Sequence, residues 1–304
     1  MDPLRRRLRA AGLPVAAVTA TTGGGAAARA GIVTFDDGSA LFAKTVETPV
    51  PGLFEAEAEG LRALRDQGGV TVPDVYTVAP DLLLLSRLFP RPIGPVFWER
   101  LGRMLAALHL STRAASGGRF GWHRDGFLGR MRQENAWNTD GHRFFAERRL
   151  LRWLPEPLVA EALSPADRAA LERFCAKLPD LIPAQPPVLT HGDLRTENVL
   201  AAPDGGPALI DPAVSYGWPE TDLSVLWCSP RPPESQRCFA AYAELAPPAP
   251  GWRDRMRPLY LHELLSTIAH GDDTWGAATL VREILAPFRP HAGAGPDLTP
   301  QRGQ

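Results

Sequence analysis

The spacing of apolar and polar residues divides this chain into a strand-rich first part and a helical remainder. Three apolar runs of strand character, Val15 to Thr22, Ala28 to Phe35 and Leu41 to Val46, are separated by Gly23-Gly24-Gly25 and by the turn Asp36-Asp37-Gly38. Val70 to Tyr76 and Leu82 to Ser86 read as two further strands. The run Leu82-Leu83-Leu84-Leu85 is too short for a membrane span and suits a buried strand. Residues 4–11 predict a short basic amphipathic helix, and Leu53 to Gln67 a strong one with Phe54, Leu61 and Leu64 on one face. After the punctuating stretch Ser86-Arg87-Leu88-Phe89-Pro90-Arg91-Pro92 the period becomes helical. Helices are expected over Val96 to Leu110, Gly141 to Leu154, Pro165 to Lys177 with Ser164 as N-cap, from about Thr221, and over Met256 to Ile268 and Thr274 to Phe288. Phe120 to Asn138 is aromatic and loop-like. The pattern implies an α+β chain of two lobes. Residues 1–88 form a small antiparallel sheet with one helix, residues 89–290 a larger, mainly helical lobe, and residues 291–304 a polar, Gly/Pro-bearing tail expected to be disordered.

Strand character returns once inside the helical part. Apolar runs at Pro187 to Leu189, Val199 to Ala201 and Ala208 to Ile210 surround His191-Gly192-Asp193-Leu194-Arg195-Thr196-Glu197-Asn198, with the turn Pro203-Asp204-Gly205-Gly206 between the last two. Asp193 and Asn198 fall on a loop and Asp211 at the end of the returning strand, so three oxygen side chains meet at one end of a small sheet. That set suits phosphoryl transfer: Asp193 as the base for an acceptor hydroxyl, with Asn198 and Asp211 holding Mg2+ on the phosphates of ATP. The spacing matches a kinase catalytic loop and metal-binding Asp, with His-Gly-Asp for His-Arg-Asp and Asp-Pro-Ala for Asp-Phe-Gly. The plainer reading makes Asp193 and Asn198 turn-formers bonding their own backbone, which gives Asp211 no part.

Other positions gain meaning from this frame. Glu57 lies on the apolar face of its helix, whereas Glu55 and Glu59 point away. A carboxylate there needs a cation, and Lys44 on the preceding strand is the candidate; the alternative is a solvated Glu57 at the edge of the face. Gly23, Gly24 and Gly25 would admit phosphate oxygens to backbone amides, or be a mere hairpin tip. Ser86, Arg87 and Leu88 are the expected adenine-side backbone. His109 reads as a packed helix-end histidine. Asp222 is either an N-terminal dipole partner or the acceptor that fixes the catalytic loop.

Composition bounds these readings. A net charge of -1 offers no general attraction to nucleic acid or anionic membrane. No run approaches the ~20 apolar residues of a membrane span, and Leu13 to Val18 is too short for a signal peptide. Three cysteines without metal-like spacing argue against a disulfide framework and for a cytoplasmic enzyme. Oligomeric state is not legible.

The residues also carry a resemblance. Phe54-Glu55-Ala56-Glu57-Ala58-Glu59-Gly60-Leu61, Gln133-Glu134-Asn135-Ala136-Trp137, Phe144-Phe145-Ala146-Glu147-Arg148-Arg149-Leu150, His191-Gly192-Asp193-Leu194, Leu209-Ile210-Asp211-Pro212-Ala213-Val214 with Tyr216-Gly217, Asp222-Leu223 and Arg257-Pro258-Leu259-Tyr260 together resemble the fructosamine kinase family. That family belongs with the aminoglycoside phosphotransferases and choline kinases. The resemblance implies a protein-kinase-like fold and ATP-dependent phosphorylation of a sugar hydroxyl of a ketosamine. It also implies Asp193 as base, Asn198 and Asp211 as magnesium ligands, and Lys44 with Glu57 as the phosphate-positioning pair. His191 and Asp222 would support the loop, while Arg195, Tyr216 and Trp218 stand as candidates for the substrate side. After His-Gly-Asp-Leu the family usually reads Trp-Ser-Gly-Asn, where this chain has Arg195-Thr196-Glu197-Asn198. Arg195 would bind an anionic group of the substrate or pair with Glu197. No cysteine falls in Gly23 to Arg29, so no redox-linked dimer is expected. Two other readings remain: an aminoglycoside or other hydroxylated amine as acceptor, and a nucleotide-binding pseudokinase. Arg130, Arg132, Arg143, Arg148, Arg149 and Arg152 argue for an acceptor less cationic than an aminoglycoside.

Overall fold

A computed structural model describes residues 3–13, 15–20, 28–113 and 115–289. The expected glycine turn at Gly23, Gly24 and Gly25 and the tail from residue 291 lie outside the described residues. Strands β1 (Val15–Ala20), β2 (Arg29–Phe35), β3 (Ala40–Thr45), β4 (Val75–Ala79) and β5 (Leu82–Ser86) form one antiparallel sheet in the order β1-β2-β3-β5-β4. Helix α1 (Pro3–Ala10) covers one face and α2 (Leu53–Gly68) the other. Successive strand side chains point to opposite faces. Leu82 and Leu84 therefore pack with Leu4 and Leu8 of α1, while Leu83 and Leu85 join the core under α2. Burial on both faces explains why this run carries no polar residue. The same alternation turns Leu41 and Ala43 toward α1 and Phe42 toward α2, which puts Lys44 on the α2 side.

The strand expected over 70–76 begins only at Val75. Val70 N–H is used to close α2, donating to Leu64 O at 3.1 Å beyond the left-handed cap Gly69 (φ 64°). Pro73 then has no N–H for a ladder. The extended stretch instead joins the two halves of the molecule, Leu209 N–H donating to Thr71 O at 3.0 Å. A second tie is the paired backbone of Phe89 and Ala201, bonded both ways at 2.8 Å.

The helical lobe comprises α3 (Pro95–Ser111), α4 (Gly141–Phe145), α5 (Pro157–Ala162), α6 (Pro165–Leu181), α7 (Pro219–Cys228), α8 (Gln236–Leu245), α9 (Trp252–Leu259), α10 (Leu261–His270) and α11 (Ala277–Leu285). Three short antiparallel pairs lie among them. β6 (Gly126–Leu128) pairs with β7 (Met131–Gln133), β8 (Val188–Thr190) with β11 (Ser215–Gly217), and β9 (Val199–Ala201) with β10 (Pro207–Leu209). Helix α6 starts at the predicted cap, a reciprocal box between Ser164 and Asp167.

Two expected helices are interrupted. The 141–154 segment passes from α4 into a π turn over Ala146–Leu150 and a 3-10 turn over Leu151–Trp153. The π turn carries Arg149, which is buried and donates to Asn135 Oδ1 at 2.6 Å and Ser215 Oγ at 3.0 Å. Met256 to Ile268 breaks between α9 and α10, where Pro258 cannot supply a helical N–H. Helix α8, absent from the sequence reading, packs on α3. A Cβ on Gly102 would collide with the carbonyl of Cys238, so only glycine permits that approach.

Candidate active site

The loop His191 to Asn198 is built from its backbone outward. Strand β8 ends at Thr190, and the next two N–H groups have no strand partner. Asp222, in the first turn of α7, accepts both: His191 N–H at 2.7 Å and Gly192 N–H at 2.9 Å. Asp222 thus ties the loop's backbone to the start of α7. Burial would raise its carboxyl, but the bond from His109, the nearby His191 and the Gly192 N–H outweigh that and hold it below the usual carboxylate range. His109 is packed, as expected, with Nδ1 2.9 Å from Tyr242 Oη and Nε2 3.4 Å from Asp222.

His191 spans the loop and the returning strand. Its Nε2–H donates to Ile210 O at 2.9 Å, and its Nδ1 accepts Asp193 N–H at 3.3 Å. Gly192 sits at φ 84° with its Cα hydrogens against the carbonyl of Ala213, where no other residue fits. Asn198, closing the 3-10 turn Thr196–Asn198, donates from Nδ2 to Asp193 O at 2.8 Å and to Asp193 Oδ2 at 3.1 Å. Arg91 secures the far side of the loop by donating to the carbonyls of Thr196 and, at 2.9 Å, Val199.

Lys44 confirms the pairing expected of it. Its ammonium donates to Glu57 Oε1 at 2.7 Å and also to Asp211 Oδ1, and the residue is only 4% exposed. Burial works against that charge, yet Asp211 and Glu57 outweigh it and raise the ammonium above its ordinary value. Burial also pushes Glu57 up to about 7, with Asp211 adding to the effect and Lys44 opposing it. Asp211 has φ 55° and is the one non-glycine residue with positive φ among the described residues. Asp tolerates that conformation better than most residues, and such outliers concentrate at functional sites.

These side chains open on one cleft of about 330 Å³, within the range of small-molecule sites. Lys44, Glu57, Asp193, Arg195, Asn198 and Asp211 all line it. Tyr216 and Trp218 do not, which corrects their assignment to the substrate side. They lie on β11 and at the N-cap of α7, behind the catalytic loop, where both face an aromatic core. Tyr216 donates to Gln67 Oε1 at 2.7 Å and stacks on Trp122, and Trp218 packs on Phe120, Phe145 and His142. A small cavity beside Trp218, about 30 Å³, has room for roughly one water molecule. Ser86, Arg87 and Leu88 are also not among the residues lining the main cleft. Ser86 is committed to the sheet edge through Asp74.

Arg195 turns to Asp193 and Glu263 rather than to Glu197. Its Nε lies 2.9 Å from Asp193 Oδ1, its Nη2 3.3 Å from Oδ2, and Nε 3.8 Å from Glu263 Oε1. The arginines of 130–152 lie away from the cleft lining. Arg130 bonds His270 O, Arg132 pairs with Asp125, Arg143 with Glu147 and Arg148 with Glu134, while Arg149 and Arg152 turn inward. They therefore carry no argument about the charge of the acceptor. The cleft itself carries Glu57, Asp193, Glu197, Asp211, Glu263 and Asp272 against Lys44 and Arg195. Helix α10 supplies the wall that sequence reasoning missed: Glu263, Ser266, Thr267 and His270. The rule that marked Glu57, a carboxylate inside an apolar helix, also marks Glu263 between Leu261 and Leu264.

No group of three or more His, Cys, Asp or Glu able to hold a metal ion occurs among the described residues. The chain offers one carboxylate, Asp211, and one amide, Asn198. A hard cation that keeps water and takes phosphate oxygens needs no more than that from the protein. The buried Lys44 fits the anionic phosphates of the same ligand.

Comparison with known proteins agrees. The fructosamine kinase family profile matches residues 10–286. A Thermus thermophilus protein named as a probable ketoamine kinase is 36% identical over 265 residues, covering 86% of this chain and 90% of its own. Chloroplastic protein-ribulosamine 3-kinase of rice is 27% identical over 267 residues, 86% of this chain and 76% of that one. A crystal structure named for a fructosamine-3-kinase, from Thermobifida fusca, superposes with a TM-score of 0.80 at 34% identity, covering 94% of this chain and 96% of that one. An aminoglycoside phosphotransferase, 14% identical with a TM-score of 0.63, shares the fold. With the motif residues gathered in one cleft and the match spanning nearly the whole chain, this protein belongs to the fructosamine kinase family of phosphotransferases.

Proposed function

We propose that the protein transfers the γ-phosphoryl group of ATP, as its magnesium complex, to a sugar hydroxyl of a ketosamine, the rearranged product of a sugar and an amine. The observation that carries this reading is the convergence of Lys44, Glu57, Asp211, Asp193 and Asn198 on one cleft. Asp193 takes the proton of the acceptor hydroxyl, its carboxylate aimed by Asn198 and by the loop that Asp222 anchors. Lys44, fixed by Glu57, holds a phosphate oxygen. Asn198 and Asp211 hold the metal, which when bound neutralises charge on the phosphates. Gly23, Gly24 and Gly25, with Ser86 to Leu88, are assigned to the nucleotide on the same reading. All five polar residues are present, which favours an active enzyme over a pseudokinase.

The test is ATP consumption by purified protein with magnesium, offered fructosyl-lysine, ribulosyl-lysine, glycated protein or kanamycin. Turnover with the ketosamines supports the proposal. Turnover with kanamycin alone overturns it in favour of an aminoglycoside acceptor.

A further inference from the structure

Glu263 is a buried carboxylate that the steps above leave without a task. It sits in the first turn of α10 with its side chain 7% exposed, and it lines the cleft beside Asp193 and Arg195. Its Oε2 is buried and accepts no hydrogen bond. Among the described residues its cation is Arg195, 3.8 Å from Oε1 and already bonded to both oxygens of Asp193. An ionised carboxylate held so incompletely costs free energy that packing alone does not return. Burial, aided by the charges of Asp193 and Glu197 and opposed by Arg195, pushes its carboxyl up to about 8. A carboxyl held in that way releases its proton when a cation arrives.

We propose that Glu263 is the specificity-determining residue of the acceptor site, its carboxylate receiving the protonated amine while Asp193 receives the hydroxyl. The proposal rests on the ketosamine reading and names the residue that would make the enzyme read the amine. Geometry supplies the reason. One guanidinium nitrogen of Arg195 spans Asp193 and Glu263, so the two carboxylates face a common, small space. In a ketosamine phosphorylated at the 3-position, only a three-carbon segment separates the amine nitrogen from the reacting hydroxyl. An acceptor laid across that space brings its own cation to Glu263 as its hydroxyl reaches Asp193. The remaining groups of the α10 wall, Ser266, Thr267 and His270, add polar side chains beside that space.

The experiment compares wild type with E263Q on two acceptors of the same sugar, fructosyl-lysine and the ketose ether that carries oxygen in place of the amine nitrogen. The amine-over-ether preference in kcat/KM is expected to fall at least tenfold in E263Q, with KM for the amine carrying the loss. An unchanged preference overturns the proposal, as does a loss confined to kcat, which would make Glu263 a positioning residue for Arg195 and Asp193. Folding is controlled by Tm, which E263Q should match or exceed at pH 8 because the substitution removes a desolvated charge. If wild type turns over no ketosamine, the functional reading fails separately. Calorimetric binding of the secondary amine N-methylglucamine then decides the role of Glu263. Binding lost in E263Q supports it, and equal binding in both proteins, or none in either, overturns it.

Discussion

Replacing Lys44 by Met tests whether the ion triad is built for phosphate rather than for stability. Met keeps most of the stem volume and removes the ammonium, leaving Glu57, 14% exposed, and Asp211, 22% exposed, without their cation. Stranding a buried carboxylate in this way costs about 3–5 kcal/mol, or about 5–8 °C in Tm for a chain of this size. The pH dependence has a definite sign. Glu57 is raised above its unfolded value, so the native state binds the extra proton, and stability falls as pH climbs toward and through about 7. Lys44 opposes that rise, and without it the penalty deepens. The part of the loss that comes from Glu57 should therefore be small at pH 5.5, where Glu57 is protonated, and full at pH 8.5. The double variant Lys44→Met/Glu57→Gln should recover at least half of it, since no charge then lacks a partner on the helix face. Thermal scans without nucleotide at the two pH values measure all of this. A loss below about 1 kcal/mol, equal at both pH values and unrelieved by Glu57→Gln, would refute the reasoning.

Two further substitutions probe the loop. Asp222→Asn leaves one acceptor oxygen for two backbone N–H groups and should cost about 2–3 kcal/mol in urea unfolding at pH 7, with a parallel fall in kcat. Since the Asp222 carboxyl is held low, its contribution is present above about pH 4 and lost as pH falls below that, so the gap between wild type and variant should narrow in acid. Gly192→Ala meets both a positive φ and the Ala213 carbonyl, so it should destabilise by more than about 1 kcal/mol and depress turnover; a silent variant would show that the loop shifts freely.

Much of this was legible in the sequence because local rules and tertiary structure agreed. Glu57 stood out as a carboxylate on an apolar face, and Lys44 is indeed its partner. Ser164 announced its helix, and Leu82 to Leu85 its double burial. What escaped depends on distance along the chain. Val70 to Asp74 has strand-like composition but spends its backbone on the end of α2 and on β10. Tyr216 and Trp218 look like substrate aromatics until Gln67, Trp122 and Phe145 close over them. Arg195 finds Asp193, two residues earlier in the chain, a contact that composition could not choose over Glu197. The arginines of 130–152 suggested the wrong sign for the cleft because their partners, Asp125, Glu134 and Glu147, are local and take them out of it.

The central claim is that Asp193 is the base of a phosphoryl transfer. Asp193→Asn, assayed for phosphorylated ketosamine and, separately, for magnesium–ATP binding, tests it most directly. The account predicts a fall in kcat of about 10²–10⁴-fold with nucleotide affinity within about threefold of wild type. Turnover within tenfold of wild type would contradict it.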